Sequence, residues 1–333
     1  MTAVVNDIAV IVPAYQAEAT LPACLAAILR DGVAADRILV VDDGSHDATG
    51  RLATDAGVRV LRHDVPQRPA RARNAGVAQV DAPIVVFVDA DVVLNEGALR
   101  LLLAPFADPG IGAAIGSYDT TPSAPRLVSR YRNLLHHHVH QTAGREVETF
   151  WSGLGAVRRD AFVSVGGFDA AWENIEDVEF GLRLRATGAR IALVSEAQAT
   201  HEKDWTLRSM FRTDLWGRAV PWTRLLIAGR MPVSAMNGGW GHRLSAAGVV
   251  LTAIGLVAGL LWAPALLLAL IGAAIFVGAN AGFWRRLARI GGPGLALGAM
   301  PAHAVHYVAA LLGYGYAHLR PRPEPVPETG PAK

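Results

Sequence analysis

The sequence predicts an α/β domain with a mostly parallel sheet, followed by C-terminal transmembrane helices. In the first part of the chain, short apolar runs alternate with segments whose apolar residues recur at helical spacing. Such βαβ alternation implies parallel strands that are covered by helices on both faces. Further on, residues 244–284 contain no Asp, Glu, Lys or Arg, and a transmembrane helix needs about 20 apolar residues.

The elements of the α/β domain follow one another in a regular order. Predicted strands cover residues 8–12, 38–41, 58–61 and 84–88, and predicted helices cover residues 19–30, 47–56 and 70–80. In sheets of this kind, ligands bind in the crevice outside the carboxyl ends of the strands. Three of these ends carry Pro13-Ala14-Tyr15, Asp42-Asp43-Gly44-Ser45 and Asp89-Ala90-Asp91, so we expect a polar pocket at this edge.

The acid pair Asp89 and Asp91 directly follows the apolar run Val85–Val88, which reads as a buried strand. Two carboxylates one residue apart suit a hard divalent cation, because Mg²⁺ is usually held by one or two carboxylates together with phosphate oxygens. The pair therefore predicts a bound nucleotide diphosphate. The alternative is a solvated turn without a ligand.

Composition excludes several other classes of function. In a chain of 333 residues, a net charge of +2 is too small to indicate a nucleic-acid partner. The chain has one cysteine, Cys24, which excludes an intramolecular disulfide and a cysteine-based zinc cluster. The amino terminus lacks a basic region followed by an apolar core, so we expect no cleaved targeting peptide.

The longest apolar stretches lie in the last third of the chain. Two transmembrane helices are predicted at residues 244–262 and 265–283, with Pro264 at the turn; the alternative is a buried helical hairpin. A third stretch, residues 295–316, either spans the membrane or lies in the interface. Arginines precede the first span and follow the second, which favours the cytoplasmic side for both ends.

Four regions follow from these patterns. Residues 1–205 form the predicted α/β domain, and residues 206–243 form an amphipathic segment whose tryptophans and arginines suit the lipid headgroup layer. Residues 244–318 hold the two or three transmembrane helices, and residues 319–333 form a proline-rich tail that is predicted to be disordered.

Six motifs resemble those of the family 2 glycosyltransferases, which have the Rossmann-like GT-A fold. In chain order they are Val12-Pro13-Ala14-Tyr15, Val40-Val41-Asp42-Asp43-Gly44-Ser45, Ala70-Arg71-Ala72-Arg73-Asn74-Ala75-Gly76, Val88-Asp89-Ala90-Asp91, Gly166-Gly167-Phe168-Asp169 and Glu176-Asp177. The resemblance implies transfer of a sugar from a nucleotide-diphosphate donor, with inversion at the anomeric carbon.

The resemblance implies a nucleoside subsite at the ends of the first two strands. Pro13, Ala14 and Tyr15 would form the floor around the nucleobase, and Asp43 would contact the nucleoside with Asp42 beside it. The alternatives are a plain turn after the first strand and a helix cap at the acids.

A diphosphate subsite is implied on the helix after the third strand. Arg71 and Asn74 lie at helical spacing, and a guanidinium there could meet the diphosphate. Arg68 and Arg73 are predicted to be solvated or helix-face charges.

The resemblance also implies a site for Mg²⁺ or Mn²⁺. Asp91 would bind the cation directly, whereas Asp89, with Ala90 beside it, would contact the ribose or a metal-bound water. His201 is either a further metal ligand or a surface histidine. The histidines at positions 136, 137, 138 and 140 are predicted to lie on a helix rather than to bind an ion.

Asp177 matches the base of the family, which removes the proton of a hydroxyl acceptor, and Glu176 precedes it. Both acids are predicted to open a helix. Acids in a first helical turn are also ordinary partners of the helix dipole, which is the alternative to a catalytic role.

The absence of one motif narrows the range of acceptors that we expect. Processive polysaccharide synthases carry a Gln-x-x-Arg-Trp motif, whereas residues 211–218 of this chain read Phe-Arg-Thr-Asp-Leu-Trp-Gly-Arg. We therefore expect transfer of one sugar to a lipid or lipid-linked saccharide by a multi-pass protein of the cell (inner) membrane with a cytoplasmic catalytic domain. The alternatives are a polyprenyl-phosphate glycosyltransferase and a non-catalytic scaffold subunit that binds nucleotide sugars.

Overall fold

A computed structural model of the chain describes residues 7–231 and 239–320. The described residues form two compact units. The first contains residues up to 124 and residues 139–203, and the second contains residues 125–138 and the described residues from 204 onward. The predicted disordered tail lies outside the described residues from position 321, and so do positions 232–238 of the predicted amphipathic segment.

Strands and helices alternate through the first two hundred residues or so. From the amino terminus they are β1 (Ile8–Ala14), α1 (Leu21–Arg30), β2 (Ile38–Asp42), α2 (Thr49–Asp55), β3 (Arg59–Arg62), α3 (Pro69–Ala78), β4 (Ile84–Val88), β5 (Val92–Leu94), α4 (Ala98–Leu103), β6 (Ile111–Tyr118) and α5 (Leu127–Thr142). There follow β7 (Glu146–Val147), β8 (Leu154–Arg158), α6 (Arg159–Ser164), α7 (Glu176–Ala186) and β9 (Arg190–His201).

The strands form one sheet in the order β3-β2-β1-β4-β8-β6-β9-β5, with β7 paired to β9. Pairing is parallel from β3 to β4 and between β6 and β9, and antiparallel where β8, β5 and β7 join their neighbours. The α/β domain and the positions of its first four strands are therefore confirmed. The antiparallel strands were not predicted.

This register brings the polar strand ends to one edge of the sheet. Ala14 pairs with Asp42, and the parallel partner of β1 on its other side is β4, which ends at Val88. Because β8 runs antiparallel to β4 and pairs Leu154 with Val88, the residues just before β8 reach the same edge. The acids after β2 and β4 thus share this edge with residues 151–153.

Helix α7, which begins at Glu176, is fixed against the core by a close backbone contact. A Cβ at Gly181 would lie 2.3 Å from the backbone nitrogen of Phe150, so only glycine fits there. The neighbouring rings of Phe150, Phe168 and Phe180 pack together, with centroids of the last two 4.9 Å apart. These contacts hold α7, and with it Glu176 and Asp177, in place.

The second unit is helical. Its later elements are α8 (Leu207–Arg212), a π-helical segment (Thr213–Ala219), α9 (Val220–Ile227), α10 (Trp240–Gly259), α11 (Leu266–Ala279) and α12 (Ala281–Leu319). Helix α12 is kinked at Gly291 and Gly292, where the backbone leaves helical geometry before Pro293. The predicted turn at Pro264 falls in a short 3₁₀ turn, Ala263–Ala265.

Among the described residues, α10 and α12 are long and apolar enough to cross a membrane. Only 17% of the apolar window of α10 is buried within the chain, and side chains such as Leu260 and Leu261 are exposed. Helix α11 has 14 residues, and at about 1.5 Å per residue it is shorter than the bilayer core. The stretch predicted as a second span, 265–283, is divided between α11 and the start of α12, since Asn280 leaves helical geometry.

The predicted amphipathic segment contributes a buried charge to the second unit. Asp214, in the π-helical segment, is 2% exposed. Its carboxylate pairs with Arg132 at 2.6 Å and with Nδ1 of His306 at 2.8 Å, and Arg218 lies 3.8 Å away. Part of this segment is therefore a packed element of the helical unit.

Candidate active site

Asp91 and His201 lie face to face at the polar edge of the sheet. The antiparallel pairing of Val92 with His201 brings the end of β9 beside the residue after Asp91, and the Oδ2 to Nε2 distance is 3.4 Å. The imidazole stacks on Tyr118, with centroids 4.5 Å apart and planes 9° apart, so its orientation is fixed. Burial raises the pKa of the Asp91 carboxyl, but His201 and Lys203 lower it by more, so the group stays ionised.

These two side chains fit a hard cation that also binds a diphosphate. A separation of 3.4 Å suits two ligands on one ion, and an imidazole and a carboxylate are a donor set that Mn²⁺ accepts. Within residues 7–231 and 239–320, no group of three or more His, Cys, Asp or Glu is arranged to hold a metal ion. The remaining ligands would be phosphate oxygens and water, as is usual for Mg²⁺.

Arg73 joins Asp89 to Glu176. It is 3% exposed; its Nη2 donates to Oδ1 of Asp89 at 2.6 Å and its Nη1 donates to Oε1 of Glu176 at 2.8 Å. The prediction of a helix-face charge at Arg73 is wrong. The helical spacing of the sequence could have predicted that Arg73 is buried, because Arg73 lies between the buried Ala70 and Val77 on the inner face of α3.

Asp177 opens α7 together with Glu176, as predicted. The backbone N–H and the hydroxyl of Ser152 donate to Oδ2 of Asp177, at 3.1 and 3.2 Å, and the N–H of Val178 donates to Oδ1 at 2.8 Å. The carbonyl of Gly153, next along the chain, accepts from the N–H of Asp89. The segment before β8 therefore contacts both the acid pair and Asp177.

The Asp177 carboxyl is poised to exchange a proton near neutral pH. Burial raises its pKa, the neighbouring Glu176 raises it further, and Arg73 together with the N–H groups of Ser152 and Val178 offsets part of the rise. The resulting pKa is about 7, well above the ordinary value of 3.8. A carboxylate of this pKa is suited to act as a general base.

Asp42 and Asp43, predicted to lie at the nucleoside, have carboxylates that are engaged within the chain. Asp42 is buried, pairs with Arg62 at 2.7 Å and accepts the N–H of Ser45. Asp43 accepts the N–H groups of Gln67 and Arg68 and lies 2.7 Å from Nδ1 of His63. Both acids hold the loops that follow β2 and β3.

The other predicted nucleotide contacts differ in their surroundings. Tyr15, after β1, has 52% of its surface exposed, and Arg71 is exposed on α3. Pro13 is half-buried, and Ala14 and Ala90 are buried. Asn74 exchanges two hydrogen bonds with the backbone of Phe168, its amide donating to the carbonyl and its Oδ1 accepting the N–H. Asn74 therefore fixes the loop before α7.

The four clustered histidines lie on α5, as predicted. His140 is buried, and its Nδ1 is 2.9 Å from the carbonyl oxygen of Gly116.

Comparison with known proteins shows what the amino-terminal half of the chain is similar to. Residues 9–166 match the model of glycosyl transferase family 2. A pre-mycofactocin glycosyltransferase of Mycobacterium tuberculosis is 32% identical over 191 residues, which is 53% of this chain and 40% of that protein. The O-antigen chain rhamnosyltransferase RfbN of Salmonella typhimurium is 28% identical over 231 residues, which is 65% of this chain and 74% of that protein. The chain thus spans about two fifths of the length of the first relative.

A solved structure confirms the GT-A fold. The mannosyltransferase PcManGT from Pyrobaculum calidifontis, solved in complex with GDP-Man and Mn²⁺, aligns with a TM-score of 0.62. The alignment covers 93% of this chain and 87% of that chain, at 17% identity.

Proposed function

We propose that this chain is a family 2 glycosyltransferase that transfers one sugar from a nucleotide-diphosphate sugar to a lipid or lipid-linked saccharide on the cytoplasmic face of the cell membrane. The observation that carries the proposal is the linkage of two acid sites at one sheet edge. Asp91 faces His201, and Arg73 and the segment 152–153 connect the neighbouring Asp89 to Glu176 and Asp177.

The donor side would use Asp91 and His201 to hold Mg²⁺ or Mn²⁺. When bound, such a cation neutralises the negative charge that develops on the leaving diphosphate. Asp89 is a third exposed at its side chain and is positioned by Arg73, so it remains accessible to the ribose. Tyr118 keeps the His201 ring from rotating away from the acid.

The acceptor side would use Asp177 as the base. Its carboxylate is oriented by three hydrogen bonds from Ser152 and Val178, and its pKa of about 7 leaves it partly ionised at neutral pH. A proton acceptor is useful only if the attacking group is a hydroxyl, because a phosphate oxygen is already anionic. Asp177 therefore favours a sugar hydroxyl of a lipid-linked acceptor over a bare polyprenyl phosphate.

The lipid character of the acceptor rests on the helical unit. Two of its helices are long and apolar enough to cross a membrane, and α10 leaves most of its apolar surface exposed. Arginines at positions 285, 286 and 289 follow α11, consistent with a cytoplasmic end there.

The proposal is tested by sugar transfer in detergent, with radiolabelled UDP-, GDP- and dTDP-sugars and with Mg²⁺, Mn²⁺ or EDTA. The acceptors are extracted lipid-linked saccharides and polyprenyl phosphate. We expect one donor to turn over, only with the cation, onto a lipid-linked saccharide, and Asp177→Asn to abolish turnover while metal-dependent nucleotide binding persists.

The control is Asp160→Asn. Asp160 is an exposed acid two residues after Arg158, which pairs with Ile84 at the start of β4, so it lies at the opposite edge of the sheet. Transfer to bare polyprenyl phosphate that is unaffected by Asp177→Asn would select that acceptor instead. Nucleotide binding without any transfer would indicate a scaffold.

A further inference from the structure

We propose that Arg73 is a positioning residue that couples the donor side of the site to its base, by holding Asp89 and Glu176 on one buried guanidinium. The inference rests on the proposed function. It concerns a side chain that is expected to contact neither the sugar nor the acceptor and to act through the acids that it holds.

The side chain of Arg73 bridges two carboxylates. Its two terminal nitrogens each donate to a different carboxylate, at 2.6 Å to Asp89 and at 2.8 Å to Glu176. The guanidinium lies 5.7 Å from the centroid of the ring of Phe168, a residue whose backbone is held by Asn74. Both partners are distant in sequence, so this side chain determines how the loop after β4 is placed against the start of α7.

The charge of Arg73 matters as much as its shape. Asp177 experiences the negative charge of Glu176, from its own helix, and the positive charge of Arg73, from α3. Burial lowers the pKa of the guanidinium, but Asp89 and Glu176 raise it by more, so Arg73 remains a cation. If Arg73 were neutral, Glu176 would act on Asp177 without compensation, and Asp177 would hold its proton to higher pH.

Arg183 provides a matched control within the same unit. It also pairs with a glutamate, Glu179, and also lies near a phenylalanine ring, with its guanidinium 5.8 Å from the centroid of Phe180. It donates to the carbonyls of Val165 and Gly167, whereas Arg73 bridges Asp89 and Glu176. Replacing it removes a comparable structural clamp and leaves the proposed coupling intact.

The experiment compares Arg73→Gln, Arg73→Lys and Arg183→Gln in the full-length protein, with whichever of the UDP-, GDP- and dTDP-sugars the wild-type protein turns over. Melting temperature, kcat, donor KM and calorimetric binding of the nucleotide with Mn²⁺ are measured for each variant. We expect Arg73→Gln to lose about 10²-fold in kcat, in the range of general-base effects, with donor KM within about threefold. Lys should restore about tenfold of that loss, since it returns the charge without the two-pronged geometry.

Two further readouts distinguish positioning from folding. Arg73→Gln should shift the acid limb of the kcat against pH profile to higher pH. The double variant Arg73→Gln/Glu176→Gln should be faster than Arg73→Gln alone, because it removes the negative charge that Arg73 had compensated. Arg183→Gln should lower the melting temperature and leave both the profile and kcat unchanged.

The inference is overturned if Arg73→Gln and Arg183→Gln lose stability alike and neither changes kcat or the pH profile. It is also overturned if the double variant is slower than Arg73→Gln. Failure of the proposed function has a different signature, namely a wild-type protein that binds nucleotide but transfers no sugar to any acceptor.

Discussion

Each of the two units contains a buried arginine paired with one or two carboxylates, but the balance of charge is opposite in the two. In the α/β unit, Arg73 serves both Asp89 and Glu176, with Asp177 adjacent, so acids outnumber the cation. In the described part of the helical unit, one acid, Asp214, faces Arg132, Arg218 and His306.

The difference indicates what each cluster does. A surplus of carboxylates at a sheet edge would attract a divalent cation, and burial together with Glu176 raises the pKa of Asp177; both features suit the proposed transfer site. The single carboxylate of Asp214 lies beside two arginines and is compensated within the fold, so its contribution is to packing between α5, the π-helical segment and α12. The predictions below test this division between chemistry and stability.

The largest effect is expected at Asp91. Asp91→Asn should lower kcat/KM by about 10³-fold, because the stabilisation that a metal gives to a leaving diphosphate amounts to several kcal/mol. Its melting temperature should change less than that of Asp214→Asn, since the Asp91 side chain is about a third exposed and its removal leaves no buried arginine unpaired. Turnover is measured while Mn²⁺ is titrated, with Asp160→Asn beside it. Activity within tenfold of wild type would remove Asp91 from the metal site.

At Asp214 we expect a large loss of stability rather than of activity. Asp214→Asn leaves Arg132 buried without its counter-charge, and breaking a buried pair in this way costs about 3 kcal/mol of unfolding free energy. The measurement is thermal unfolding of the detergent-solubilised protein, with Asp91→Asn as the comparison. Equal melting temperatures for the two variants would mean that the two clusters contribute alike to stability.

Much of the α/β unit could be predicted because its signals are local. Apolar runs at 8–12, 38–41 and 84–88 became β1, β2 and β4, and the acids that end β2 and β4 reached one edge through parallel pairing. The place of β8 between β4 and β6 was not predictable, because it depends on pairing between segments far apart in the chain.

Prediction of the site residues is limited in the same way by contacts between distant parts of the chain. Asp177 and His201 could be selected by motif and by position at the end of an element, whereas Arg73 finds its partners 16 and 103 residues away. The engagement of Asp42 by Arg62 and of Asn74 by the Phe168 backbone is equally non-local. A pattern specifies which side chains are available at an edge, and tertiary contacts decide which of them are already in use.

The pH dependence of stability should distinguish Asp177 from Asp214. The folded pKa of Asp177 is about 7 against an ordinary value of 3.8, so the folded state binds the proton more tightly. Its contribution is therefore stabilising at low pH and is lost as the pH rises from about 4 through about 7. Asp177→Asn should remove this dependence and gain about 2 kcal/mol relative to wild type between pH 5 and pH 7.5.

For Asp214, the pKa is lowered: burial raises it, but Arg132 and His306 lower it by more, so its contribution is present above about pH 4 and is lost on acidification. The comparison is made by measuring the free energy of unfolding of Asp177→Asn and Asp214→Asn across this pH range. Parallel curves for wild type and Asp177→Asn would mean that Asp177 ionises as an ordinary carboxyl and is a poor base.

The smallest effect is expected where an arginine and an acid meet in water. Arg51 and Asp55 are one helical turn apart on α2, 3.1 Å from each other, with side chains 69% and 60% exposed. Arg51→Ala should change the free energy of unfolding by no more than about 0.5 kcal/mol, because both charges are solvated with or without the pair. The measurement is the same thermal unfolding used for Asp214→Asn, at low and high salt. A loss comparable to that of Asp214→Asn would mean that the count of ion pairs, rather than burial and the sign of the surplus charge, governs what each cluster contributes.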